Sequence, residues 1–248
     1  MPLTPPEQVL DFLKRAHDEF QPFSQQIKFD KEHPQHRNII ALYGSIIELT
    51  GSAILLVDKR LITGVPVIIR SILEAYVDLY NLAENPAYGY ALEISYIKEW
   101  LKILHEAKGG QNEYLAAISQ APSLDGSITA WQRQKQQLEA KGHRSLQIEQ
   151  KFQRAHMEKE YRSIYNSLCC DAHNNLRSLI DRHIELGQSD FQVVFYKAYT
   201  PEDSALAVGT TAELLMRSSQ KVHEFFDSPA IEQVAAYRAE LDKLRGES

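Results

Sequence analysis

The segment from residue 65 to 84 carries Val65, Val67, Ile68, Ile69, Ile72, Leu73, Tyr76, Val77, Leu79, Tyr80 and Leu82, so it is apolar on nearly every side. A helix of that kind cannot stand at a surface and must be enclosed by other helices. A second apolar run, Ile39 to Val57, precedes it. That run has nearly the length of a membrane span, but Glu48 sits near its centre, with Gly44, Ser45, Thr50, Gly51 and Ser52 around it. A carboxylate at mid-bilayer costs about 2.5–3.5 kcal/mol, so a buried core helix is the expectation.

Capping chemistry marks where helices begin. Thr4-Pro5-Pro6-Glu7 combines a hydroxyl cap, an early proline and a carboxylate three residues after the cap; Thr200-Pro201-Glu202-Asp203 and Ser228-Pro229 repeat the grammar. Asn85-Pro86 closes one helix and opens another. The pattern predicts helices over 5–20, 36–59, 65–84, 87–107, 127–141, 147–186, 202–226 and 229–245. The fold class is therefore all-α, or nearly so, a multi-helix bundle of about seven to eight helices in one domain spanning 1–248. Residues 108–155 read as a peripheral loop and helix arm, being interrupted by Gly109-Gly110, Pro122 and Gly126 and rich in Gln, Lys and Arg. One short extended segment is predicted near 190–197, on Phe191-Gln192-Val193-Val194-Phe195-Tyr196. A lone strand leaves its backbone groups unpaired, so it requires a second strand elsewhere in the chain or on a neighbouring protomer.

The formal charge of −6 over 248 residues provides no general basic field, so duplex DNA is not an expected partner. The two cysteines, Cys169 and Cys170, are adjacent within predicted helix, where side chains diverge by about 100° and a disulfide is implausible. Two free thiols suit a reducing compartment. The first residues show no basic segment followed by an apolar core, so neither a secretory leader nor a membrane partner is expected and the protein reads as cytoplasmic.

Two polar stripes stand out against the apolar background. On helix 65–84, Arg70, Glu74, Asp78 and Asn81 recur at steps of four, four and three, along one face. On segment 147–186, treated as one helix, Tyr161, Tyr165, Leu168, Ala172, Leu176, Leu179 and His183 share a core sector. Asn166, Cys170, His173 and Arg177 fall on the sector beside it. If the two helices lie side by side, these stripes face each other. Arg70, Glu74, Asp78, Tyr165, Asn166 and Cys170 are then the candidate pocket, and His173, Arg177 and His183 the candidate catalytic groups. No metal and no cofactor is expected: His33-x-x-His36 has no second pair at zinc spacing, and Glu-x-x-His is missing from the sequence. Nor does it contain a phosphate-binding glycine loop, a nucleophile elbow or a dinucleotide fingerprint.

Arg70-Ser-Ile-Leu-Glu74, followed by Tyr76 and Leu79, and Tyr161-x-x-x-Tyr165-x-x-Leu168-x-x-x-Ala172-His173 resemble the two signatures of a bacterial all-helical family known as a domain of unknown function. The resemblance covers about residues 35–225 and implies an α-helical bundle. Where this chain has Cys169-Cys170, many members carry Ser. Arg177-Ser-Leu-Ile-Asp-Arg-His183 is also similar to the Arg-and-His motif of HEPN-type helical domains. That resemblance implies a metal-independent ribonuclease of bacterial defence systems, active as a dimer. Arg177 would neutralise the cleaved phosphate, and His183 or His173 would move the proton.

Three functions follow. The first is a ligand- or partner-binding bundle, oligomeric and placed in a bacterial stress or defence system, with a polar pocket at Arg70, Glu74, His173 and Arg177. The second is a HEPN-like ribonuclease. The third is a polar seam that only fixes helix register. The expected partners are a second copy of the chain, RNA or a small polar ligand.

Overall fold

Apolar residues at helical spacing and a proline in the first turn begin helix α2 (Pro34–Asp58), and the same pattern builds α3 (Val65–Glu84) immediately after it. In the computed structural model, which describes residues 6–188, 190–197 and 200–246, these two helices lie side by side. Helices α1 (Pro6–Ser24) and α11 (Pro201–Phe225) pack on them, and α12 (Ile231–Arg245) covers α1 and α11. Phe12, Phe20, Ile39, Tyr43, Ile72 and Leu79 are fully enclosed where they meet. Among the described residues only α2 has the length and apolarity of a membrane span. Its Ile39, Tyr43, Ile46, Ile47, Thr50 and Ala53 are buried against the bundle, while most of its most apolar stretch is not. The predicted cap at Thr4 lies outside the described residues. Thr200 does cap α11, its hydroxyl accepting from the Asp203 amide at 3.1 Å.

The chain forms two compact units, one of Met1–Glu84 with Phe152–Ser248 and one of Asn85–Lys151. In the second, α4 (Tyr88–Gly109) packs on α6 (Leu124–Ala140), with the short α5 (Ala116–Ser119) between them in sequence. Ile94, Ile97 and Leu138 form one apolar cluster and Leu104, Leu124 and Ile128 another, bridged by Leu101 and Trp131.

The segment predicted as one helix over 147–186 is broken. It consists of α7 (Ile148–Arg154), then α8 (Glu158–Glu160) running through a π turn at Tyr161–Tyr165 into α9 (Asn166–Ala172), and finally α10 (Leu176–His183). This division, with α5, is why seven to eight helices undercounts the structure. The cause is the same at both breaks. His156 (φ 57°) and Asn174 (φ 48°) adopt the left-handed conformation, and the chain doubles back in a Schellman turn. At the first, the Met157 amide donates to the Phe152 carbonyl at 2.9 Å; at the second, the Asn175 amide donates to the Cys170 carbonyl at 3.2 Å. Asn175 then caps α10, its side chain accepting from the Ser178 amide at 3.0 Å. No glycine or proline signals either stop.

Asn174→Val should therefore lower stability by about 1–2 kcal/mol, since a β-branched residue is strained at this φ. Asn174→Gly, free of that strain, should stay within about 1 kcal/mol of wild type in urea unfolding. Equal losses for both would show that the left-handed backbone is not what matters here.

The extended segment is also shorter than predicted. Strand β2 (Phe191–Val193) pairs antiparallel with β1 (Ile184–Leu186), in the register Ile184 to Val193, Glu185 to Gln192 and Leu186 to Phe191. β1 is the missing partner, and it follows α10 directly, within the stretch expected to be helical.

Candidate functional site

Helix α3 places Arg70 and Glu74 one turn apart, and Arg70 Nε donates to Glu74 Oε1 at 2.9 Å. The facing wall is the π turn and α9, which pack against α3 in the same compact unit. From it, Tyr165 Oη donates to the same Glu74 oxygen at 2.8 Å. The Arg70 guanidinium reaches Tyr165 Oη from Nη2 at 3.5 Å and lies 5.6 Å from the ring centroid. Its Nη1 stands 3.3 Å from Nε2 of His173. Single π turns inside α-helices recur at functional sites, and this one carries Tyr165. Behind it, Phe152, Tyr161 and Tyr165 form an aromatic stack with centroids 5.0–5.5 Å apart.

The electrostatics follow from this geometry. Burial pushes the Tyr165 hydroxyl well above the usual tyrosine range, the Glu74 carboxylate adds to the push, and Arg70 opposes it. The phenol therefore stays protonated and serves as a donor to Glu74. Burial works against the Arg70 charge, but Tyr165 and Glu74 outweigh it and the guanidinium is held more firmly protonated than usual.

A guanidinium only donates, so its contact with His173 requires a lone pair on Nε2 and puts the imidazole proton on Nδ1. His173 is exposed, and among the described residues Nδ1 has no hydrogen-bond partner. Three of the five guanidinium N–H groups are engaged, by Glu74, Tyr165 and His173, which leaves two. The cluster thus presents N–H donors at a half-exposed surface with its one carboxylate already occupied. Among the described residues, no three His, Cys, Asp or Glu side chains come together to hold a metal ion.

Arg70, Glu74, Tyr165 and His173 are therefore brought together, while the other candidates are not. Asp78 lies one turn further along α3 and is half-buried. Asn166 is exposed at the start of α9 and Cys170 is half-buried. Arg177 is 86% exposed and pairs with Asp181 at 3.7 Å. His183 Nδ1 lies 3.1 Å from the Val194 carbonyl. The turn at Asn174 redirects α10, so Arg177 does not extend the His173 stripe and His183 does not sit in the core sector.

Two further residues belong to the site. Cys169 reinforces the upward push on Tyr165 and bears on Arg70; it falls between Tyr165 and His173 at steps of four, a spacing that favours it over Cys170. Arg182 clamps the turn that carries His173. Its Nη2 donates to the Asp171 carbonyl at 2.8 Å and to the Asp171 carboxylate at 3.1 Å, and Nη1 donates to Asn174 Oδ1 at 3.1 Å. A cation at a helix C-terminus is favourable, but nothing marks Arg182 for that place until the break before α10 is known.

Helical bundle and paired signatures together define an all-helical protein whose Arg-x-x-x-Glu helix meets a Tyr-and-His helix. The family described as "Family of unknown function (DUF5677)" matches residues 36–192, and the chain belongs to it. No curated protein and no solved structure matches the chain.

Proposed function

We propose that the protein is a binding module for a small polar ligand bearing an anionic group, phosphate or carboxylate, held by Arg70 and His173. The observation that carries this reading is the unequal supply of donors and acceptors. Among the described residues, two guanidinium N–H groups and the His173 Nδ1–H stand at the surface without acceptors, and Glu74 is already bonded by Arg70 and Tyr165. An anion completes such a set, because a guanidinium matches a two-oxygen acceptor with parallel bonds. Glu74 and Tyr165 orient the guanidinium, and Arg182 orients the turn beneath His173.

A seam serving only helix register would spend its donors inside the protein, and this one leaves three at its edge. The ribonuclease reading draws less support. Arg177 and His183 lie six residues apart on α10, about 120° around the axis, and His183 is turned to the Val194 carbonyl. The free thiols Cys169 and Cys170 support a reducing, cytoplasmic setting.

Titration calorimetry with inorganic phosphate and with citrate tests the proposal. Wild type should bind one of them, and Arg70→Lys and His173→Ala should each weaken binding about tenfold or more, the worth of a charge-assisted hydrogen bond. The melting temperature of His173→Ala should be nearly unchanged, because the side chain is exposed. Binding that is indifferent to both substitutions, or no binding of either anion by wild type at millimolar concentration, would overturn the assignment.

A further inference from the structure

Helices α4 and α6 belong to a unit of their own, and the stretch rich in Gln, Lys and Arg supplies the second of them. Beside the apolar seam that joins the two helices runs an open groove of about 640 Å³, inside the range of roughly 300–1,000 Å³ typical of small-molecule sites. On α4, Lys98, Lys102 and His105 line it, at steps of four and three that keep them on one face. Leu101, half-buried in the seam beside Trp131, gives the groove an apolar floor. Across from them α6 contributes Gln132 and Lys135. Among the described residues, none that lines the groove is acidic.

Three ammonium groups are thus gathered along one groove, and each keeps donors to spare. Lys98 Nζ donates to Ser145 Oγ at 2.7 Å, Lys102 pairs with Glu99 at 2.8 Å and Lys135 with Glu139 at 3.5 Å. An ammonium has three N–H donors, so at least two remain on each lysine among these contacts. The Lys102 and Glu99 side chains are 71% and 68% exposed, and a pair so open to water contributes little and yields to a stronger partner. At the other end of the groove Gln132 Nε2 lies 3.3 Å from His105 Nε2, so an amide and an imidazole meet where the run of lysines stops. Residues 85–151 hold eight Lys and Arg against seven Asp and Glu, a balance of +1 in a chain of net charge −6. An anion is therefore repelled least by this unit.

The arrangement selects among anions. Lys98 and Lys102 stand one helical turn apart, about 6 Å along the axis, and Lys135 comes from the opposite helix. One carboxylate or phosphate engages part of this set and leaves the rest of the groove empty. Linked phosphates present several charges over the same span, and ammonium groups serve them as point charges without demanding a planar partner. The geometry points to a second binding site, built from other residues than the Arg70 site, for a small polyphosphate anion whose phosphates lie among Lys98, Lys102 and Lys135. A nucleoside triphosphate and a short inorganic polyphosphate share that chemistry.

Both tryptophans of the chain, Trp100 and Trp131, lie on α4 and α6, so their fluorescence reports on this unit. Titrating inorganic tripolyphosphate into the full chain should change that fluorescence saturably, with a Kd below about 1 millimolar. Lys102→Glu and Lys135→Gln should each weaken binding about tenfold or more, and melting of Lys102→Glu should be unchanged because its side chain is exposed. Glu99→Gln, which frees Lys102, should tighten binding. ATP and adenosine separate the two sources. ATP binding more tightly than tripolyphosphate identifies a nucleotide, while equal or weaker binding identifies the phosphate chain itself. Failure of both tripolyphosphate and ATP to bind at about 1 millimolar overturns the inference. So does adenosine binding as tightly as ATP, or an affinity indifferent to both lysine substitutions.

Discussion

Replacing Phe152 by Ala is expected to lower the unfolding free energy by about 3–5 kcal/mol, the range for emptying a fully enclosed aromatic site. Phe152 has no exposed surface; its ring lies 5.4 Å from that of Tyr161 and 5.0 Å from that of Tyr165. Its carbonyl accepts the Met157 amide that closes the turn at His156, so ring and backbone hold the same corner. The loss should extend to the binding site, because the stack behind Tyr165 directs its hydroxyl at Glu74. Phosphate affinity should fall with stability in Phe152→Ala. Phe152→Leu, which keeps most of the volume, should cost less than half as much. Urea unfolding measures the first effect and calorimetry the second; a drop below about 1 kcal/mol in Phe152→Ala would show that the corner is held by other contacts.

Acid should weaken the protein through His223. This residue is fully enclosed between α11 and the turn that follows it, and burial lowers its pKa from 6.5 to about 4. Nδ1 lies 2.8 Å from Ser228 Oγ, Nε2 has no hydrogen-bond partner among the described residues, and the Tyr43 ring stands edge-on with its centroid 6.1 Å away. Folded protein thus resists a proton that the unfolded chain accepts. The stabilisation is complete above the unfolded value of 6.5 and is lost as pH falls through the window from 6.5 to 4. The difference between those values corresponds to about 3 kcal/mol. Urea midpoints measured from pH 7 to 4.5 should fall steeply for wild type and less for His223→Gln, which does not titrate. Parallel curves for the two proteins would remove His223 from the account.

The two predictions differ in how readily the sequence reveals them. His223 sits on a helix whose start is marked by its Thr200 cap, although the enclosure of its ring beside Tyr43 and Ser228 exists only in the tertiary structure. Phe152 belongs to a segment whose apparent helical continuity hides two reversals of the chain. The left-handed turns at His156 and Asn174 rest on residues that tolerate that conformation without announcing it, as glycine would. A projection carried through them assigns wrong neighbours to later residues, which is why Arg177 was expected beside His173 and His183 in the core sector.

The meeting of Arg70 with His173 was legible because each precedes the Asn174 turn or lies on an unbroken helix. The choice of Cys169 over Cys170 was half legible, from its place between Tyr165 and His173. Arg182 was not, because its role exists only after α10 has folded back on the end of α9.

Local chemistry along the chain thus determined the helical class, the span of α3 and the facing of two polar stripes, since periodicity and capping act within a few residues. Tertiary structure decided where the long segment breaks, which thiol joins the site and how β1 comes to pair with β2. Those outcomes depend on contacts between distant residues, and their free energies exceed the small local preference for continuing a helix.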